Sequence, residues 1–267
     1  MGAMNRFVRC ELELAVDGPA ELVFSLALAQ DLPLATERLD VTVDGRKARP
    51  TELLAEHGTR LHCLSVSGGE VGLRYSAEVP GLAPSPQWTP LDRLRYLRQS
   101  RYCEADTLAP TAAAEFVGLS GTALLAAVVE WVHSRIRYVS GSSTGTDSAV
   151  TTLLAREGVC RDFAHLAITL LRSLGVPARL AAVYAPGLSP MEFHAVSEAL
   201  VDGQWWVLDA TKLAPRRSLL RVATGRDAAD TAFLTSNGAS VALTSIDVTA
   251  VTDQFELDDQ VALTQLR

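Results

Sequence analysis

Gly158-Val159-Cys160-Arg161-Asp162-Phe163-Ala164-His165-Leu166-Ala167-Ile168-Thr169-Leu170-Leu171-Arg172-Ser173-Leu174 is the stretch on which the fold turns. A loop glycine leads into a run where Phe163, Leu166, Ala167, Leu170, Leu171 and Leu174 recur at helical spacing. Gly175 and Pro177 end it, as a C-cap glycine and a following proline do. The spacing predicts a helix that opens at Cys160 and buries one face. A helix N-terminus presents unpaired N–H groups and the positive end of the dipole, and both favour a thiolate. Asp162, in the first turn, suits the same dipole.

Beyond this helix, Ala178–Tyr184, His194–Val201 and residues 204–211 read as strands. Asp202-Gly203 favours a two-residue type I′ turn between the last two. If Val201 pairs with Gln204, then Asp209 faces Val196 and His194 faces Thr211. His194 and Val196 share a face, so Asp209 lies diagonal to His194, within reach of a hydrogen bond. A slip of one residue would put them on opposite faces. By the same alternation Trp205 shares the His194/Asp209 face and is expected to wall the site, while Trp206 packs in the core. Upstream, Leu125, Val128, Val129, Val132 and Ile136 form a helical stripe across residues 122–137, and a Gly/Ser/Thr-rich loop covers 140–148. Further strand-like runs lie at 218–222 and 239–251. This part of the chain reads as α+β, helices first and antiparallel strands after.

The first eighty residues have a different period. Val8, Cys10, Leu12, Leu14 and Val16 alternate with polar residues, as do the runs Leu22–Leu28, Leu39–Val43 and Val71–Val79. Asp17-Gly18, Asp44-Gly45 and Gly68-Gly69 punctuate them, so an all-β unit is expected, as a sandwich or an open barrel. Residues 80–90 hold four prolines and are the best boundary. The expected division is 4–80, β-rich, and 81–267, carrying the chemistry.

Bulk properties narrow the function. A chain of 267 residues with 48% hydrophobic and 21% charged residues can bury a substantial core. A net charge of −7 argues against a nucleic-acid partner or an anionic membrane. Cys10, Cys63, Cys103 and Cys160 are scattered without a C-x-x-C pair, so neither a metal framework nor a disulfide scaffold is expected. A reducing cytoplasmic location is the simpler reading. No run approaches the ~18 apolar residues of a membrane helix, and the N-terminus lacks a secretory pattern. The second methionine, Met4, suggests that Met1-Gly2-Ala3 is an added leader.

Cys160, His194 and Asp209 supply what thiol chemistry requires. A thiol with an ordinary pKa near ~8.5 is only slightly ionised at neutral pH. An imidazole beside it takes the proton and returns it to the leaving group, and a carboxylate fixes the ring's tautomer. The Cys160 N–H is a candidate oxyanion donor, with a side chain from an upstream loop as the second. The other three cysteines read as small hydrophobes. Asp162, His165, Thr169 and Arg172 form a polar stripe, for which an Asp162–His165 or His165–Arg172 contact under a loop is expected. His57, His62 and His133 read as incidental, and Glu192, beside His194, as a loop charge, with contact to substrate as the alternative.

The run GVCRDFAHL, the strand opening His194-Ala195-Val196, the hairpin VDGQWWVLDAT and the later TGRDAADTAF resemble the bacterial transglutaminase-like superfamily. YLRQSRYCEAD, at 96–106, and the β-rich first eighty residues resemble members that carry an N-terminal β domain. The resemblance implies an α+β, papain-like core with an antiparallel sheet behind that domain. It implies Cys160 as nucleophile, His194 as general base and acid, and Asp209 as the residue that orients it. It also places Tyr138, in IRYVSGSS, where animal transglutaminases have an oxyanion-stabilising tryptophan. Their calcium loops have no counterpart here, so no cofactor is expected. The expected function is acyl transfer from a carboxamide or peptide bond through a thioester, with water or an amine as acceptor. The substrate would be a peptide, a protein or a small amide. The alternative is a catalytically silent peptide-binding module of the same fold. A metal-dependent hydrolase would need clustered ligands.

Overall fold

The computed structural model describes residues 4–267; Met1-Gly2-Ala3 lie outside the described residues. Seven strands come first: β1 (Asn5–Val16), β2 (Ala20–Phe24), β3 (Thr36–Val43), β4 (Arg46–Ala48), β5 (Thr51–Leu54), β6 (Arg60–Val66) and β7 (Gly69–Pro80). Helices follow the proline-rich segment: α1 (Pro90–Arg95), α2 (Ala105–Glu115) and α3 (Gly121–Arg135). A two-residue strand β8 (Arg137–Tyr138) precedes α4 (Ala149–Ala155), and its partner β9 (Glu157–Gly158) leads directly into α5 (Cys160–Ser173). The hairpin strands are β10 (Ala178–Tyr184), β11 (His194–Val201) and β12 (Gln204–Leu208), followed by β13 (Leu220–Gly225), α6 (Ala228–Thr231), β14 (Leu234–Gly238) and β15 (Val241–Thr252).

The N-terminal strands form two antiparallel sheets, ordered β15-β1-β7-β3-β4 and β14-β2-β6-β5. Leu12, Leu14, Val71 and Leu73 of the first share one buried cluster with Leu22, Phe24 and Leu64 of the second. The unit is therefore a sandwich, with alternate residues of each strand turned inward. Its alternation ends at Phe24: Leu26 and Leu28 are buried but lie outside any strand.

A division at residue 80/81 does not describe these sheets. β15 pairs along the whole of β1, from Arg6↔Thr252 to Val16↔Val241, and β14 pairs with β2. The chain returns to complete both sheets after building the helical part. Covering β1 with β15 leaves no long edge open there. The same cluster takes in Tyr184, Leu220, Val222 and Ala223 from β10 and β13. Tyr184 donates its hydroxyl proton to the carbonyl of Leu26 at 2.9 Å.

The second sheet system has the order β12-β11-β10-β13 and is antiparallel throughout. Helix α5 lies against it, with Leu166, Ala167, Leu170 and Leu171 fully buried among Leu180, Ala199 and Val201. α3 packs its Leu125, Val128 and Val132 into the same cluster. Burying four such side chains anchors α5 rigidly, since losing one large apolar side chain in a core costs about 2–5 kcal/mol. The residue after the helix, Leu174, leads to Gly175 at φ 76°, the left-handed conformation that closes helices.

Candidate active site

Three local devices bring Cys160 to one place. Parallel pairing of β8 with β9 sets Tyr138 beside Gly158, two residues before the cysteine. Val159 then donates its N–H to Asp162 Oδ2 at 2.8 Å, so the carboxylate caps the helix start. Gly158 is required by that cap: a Cβ there would lie 2.7 Å from Asp162 Cβ. Cys160 thus occupies the first turn of α5, partly exposed, at the end of a buried helix.

The hairpin adopts the register expected from Asp202-Gly203. Both turn residues have positive φ, 52° and 70°, and Val201 pairs with Gln204 through to Ser197 with Leu208. β12 ends one residue before Asp209, yet the carboxylate reaches the ring as the register requires: His194 Nε2 and Asp209 Oδ2 are 2.9 Å apart. Asp209 Oδ1 accepts from the N–H and hydroxyl of Thr211, at 2.9 and 2.6 Å. The other ring nitrogen, His194 Nδ1, is buried without a hydrogen-bond partner among the described residues, and the Cys160 side chain is close enough to act on the ring's protonation.

The electrostatics follow from this packing. Burial disfavours a charged His194, but the Asp209 charge, the bond to it and the Cys160 sulfur outweigh burial and raise the imidazole to about 10. Burial likewise pushes Asp209 up, while the His194 charge and the bonds from His194 and Thr211 hold it below the usual carboxylate range. Asp209 thus favours the protonated ring and fixes its orientation.

Tyr138 stands on the cysteine's other side, half-buried, its ring 6.1 Å from that of Phe163. Its hydroxyl donates to Glu192 Oε1 at 3.2 Å. Burial first, then the nearby Cys160 and Glu192 charges, raise the phenol's pKa. Arg161 braces the opposite rim through Asp162, the Ser143 hydroxyl and the Thr144 carbonyl. That rim belongs to the loop expected at 140–148.

Trp205 lies elsewhere. It is fully buried with Tyr96 and Leu200, and the Arg179 guanidinium sits 3.8 Å from its ring centre. It does share the alternation of His194 and Asp209. Four residues of strand separate it from Asp209, however, about 13 Å at ~3.3 Å per residue, and put it at the turn end of the hairpin. The expectation that it walls the site is corrected accordingly. Trp206 packs against the α5 core.

The polar stripe on α5 also makes other contacts than expected. His165 Nε2 accepts the N–H of Ala228 at 3.1 Å and its ring stacks on Tyr102. Burial pulls it down to about 3, which keeps it neutral. Arg172 bonds to the carbonyls of Ala178 and Arg226 and to Ser100. The stripe stitches the helix to its neighbours. Cys10 and Cys103 are fully buried, and burial pushes both thiols up to about 12. All four cysteines are free. Among the described residues no three His, Cys, Asp or Glu side chains are grouped to hold a metal ion, and no helix is long and apolar enough to cross a membrane.

Two residues gained their partners only in the structure. Glu192 contacts Tyr138, although nothing in a single sequence signals a pairing across 54 residues. Glu198, on β11, is fully buried and pairs with Arg179 and Arg221 below the cleft of about 580 Å³ that His57 and Asp92 help to line. Cys160 does not line that cleft.

Residues 113–210 match the sequence profile of the transglutaminase-like superfamily. A crystal structure from Cytophaga hutchinsonii, assigned provisionally as a cysteine protease, superposes with a TM-score of 0.86 at 29% identity. The match covers 100% of this chain and 96% of that one. Uncharacterized protein ML0607 of Mycobacterium leprae is 31% identical over 134 residues, covering 46% of this chain and 47% of that protein. Uncharacterized protein Rv2569c of Mycobacterium tuberculosis is 36% identical over 138 residues, covering 44% of each. The chain therefore spans about half the length of these mycobacterial relatives.

Proposed function

From a transglutaminase-like core at residues 113–210, we propose that this protein is a cysteine-dependent acyltransferase or amidase, with Cys160 as nucleophile, His194 as general acid and base, and Asp209 as the residue that orients the ring. The observation that carries the reading is the buried His194–Asp209 pair at 2.9 Å, with the free Nδ1 beside a thiol at a helix start. A ring held this way can serve only one neighbour.

The chemistry then runs in two halves. Cys160 Sγ attacks the carbonyl carbon of a carboxamide or peptide, forming a C–S bond and placing the carbonyl's electron pair on oxygen. The Cys160 N–H and the Tyr138 hydroxyl are the donors for that oxyanion. Collapse breaks the C–N bond, and the departing amine takes the proton that His194 holds. In the second half, water or an amine attacks the thioester, His194 removes its proton, and the C–S bond breaks to restore the Cys160 thiolate beside a protonated His194. Water makes the protein a peptidase or amidase; an amine makes it an amide-forming transferase. A cytoplasmic setting suits a free, reduced nucleophile.

The test is product formation from peptide amides, with and without added amine, by the wild-type protein and by Cys160→Ala. The proposal expects turnover in the first and none in the second, at equal thermal stability. Equal turnover in both would overturn it.

A further inference from the structure

The Tyr138 hydroxyl has a single proton, and in this structure that proton goes to Glu192. The side-chain donor assigned to the oxyanion is thus engaged with a carboxylate. Glu192 is exposed, and among the described residues no cation pairs with it. The basic residues next to Tyr138 and Cys160 in the chain are engaged elsewhere, Arg137 with Glu157 and Arg161 with Asp162. A second negative charge one hydrogen bond from a developing oxyanion opposes its formation. Turnover therefore requires the Glu192 charge to be drawn off Tyr138 or neutralised.

We propose that Glu192 is a specificity-determining residue that recognises a cationic group, an ammonium or guanidinium, on the substrate. The proposal rests on the acyl-transfer reading of Cys160. When the cation pairs with Glu192, the carboxylate leaves Tyr138, whose O–H turns to the oxyanion. No bond order changes in this step; one hydrogen bond is exchanged for an ion pair. The cation can belong to the acyl donor, as a lysine or arginine side chain near the scissile carbonyl, or to the acceptor, as the distal ammonium of a diamine.

The experiment measures acylation of Cys160 by mass spectrometry, using peptide amides matched position by position in lysine and norleucine. Deacylation is then measured with a diamine against a monoamine of equal length. Wild-type protein should favour the cationic member of a pair by about 10-fold or more, as expected for a charged hydrogen bond. A preference in acylation places the cation on the donor; a preference confined to deacylation places it on the acceptor. Glu192→Gln should erase the preference and speed the neutral member, and Tyr138→Phe should abolish that gain. Equal rates for cationic and neutral members with Cys160 acylated would overturn this inference alone. A gain in Glu192→Gln that survives Tyr138→Phe would also overturn it. Failure of every peptide to acylate Cys160 would overturn both it and the reading beneath it.

Discussion

Asp209 Oδ2 holds His194 Nε2 at 2.9 Å, from a position just past the end of β12, while its second oxygen is tied to Thr211. The carboxylate is thus fixed on both sides. The ring can neither rotate nor swap its nitrogens without breaking a buried charged bond, and such a bond is worth about 1.5–3 kcal/mol.

Asp209→Asn removes that constraint while keeping the shape. An amide that presents N–H to the ring selects the wrong tautomer, and kcat/KM is expected to fall by about 10²–10⁴-fold. Titration of His194 by NMR should show its pKa falling from the raised value, since the charge that favours the imidazolium is gone. An unchanged rate would mean that Asp209 has only a packing role.

Gly158→Ala places a Cβ 2.7 Å from Asp162 Cβ and 2.9 Å from its Oδ2. The cap on Val159 must shift, with an expected loss of about 1–3 kcal/mol from overpacking and the disturbed helix start. Because Cys160 is two residues away, activity should fall further than stability does. Thermal melting and turnover on the same sample compare the two losses.

Glu198 is fully buried between Arg179 and Arg221, with contacts of 2.8, 2.8 and 2.9 Å. Burial would push the carboxyl up, but the two arginines outweigh it and lower it to about 2. A depressed folded pKa gives stability that is complete above the ordinary value of 4.5 and is lost as pH falls toward about 2. Denaturant unfolding should therefore weaken across that window. Glu198→Gln should flatten the dependence and, by leaving two buried arginines without their anion, destabilise the protein by about 3–5 kcal/mol.

The thiols should separate in the native protein. Iodoacetamide followed by peptide mapping is expected to modify Cys160 and to spare Cys10 and Cys103, which are fully buried with thiols pushed up to about 12. Modification of Cys103 before Cys160 would contradict the assigned burial.

What was legible in the sequence was local. Asp202-Gly203 specifies its own turn, and that turn specifies the β11–β12 register, so the His194–Asp209 contact could be worked out from alternation alone. Helix α5 carried its start and stop signals within its own stretch. Other features depended on partners far along the chain. β15 meets β1 across more than two hundred residues, and its run of alternating residues says that it is a strand without saying whose neighbour it is. α2 was obscured by Pro110 inside it and by an alanine-rich composition without a strong apolar face. The contact of Tyr138 with Glu192 and the stacking of His165 on Tyr102 arise from loops and helices meeting in space, so spacing on one element could not reveal them. Trp205 shows the limit of alternation, which gives a face but not a distance along the strand.

The central claim is that Cys160 carries the acyl group. The most direct measurement is intact-protein and peptide mass spectrometry after rapid acid quench, with wild type and His194→Ala incubated with a library of peptide amides. The account predicts an adduct on Cys160 of wild type, equal in mass to an acyl fragment and discharged by hydroxylamine, and none on Cys160 of the variant. An acyl adduct on another residue, or turnover with Cys160 never acylated, would contradict it.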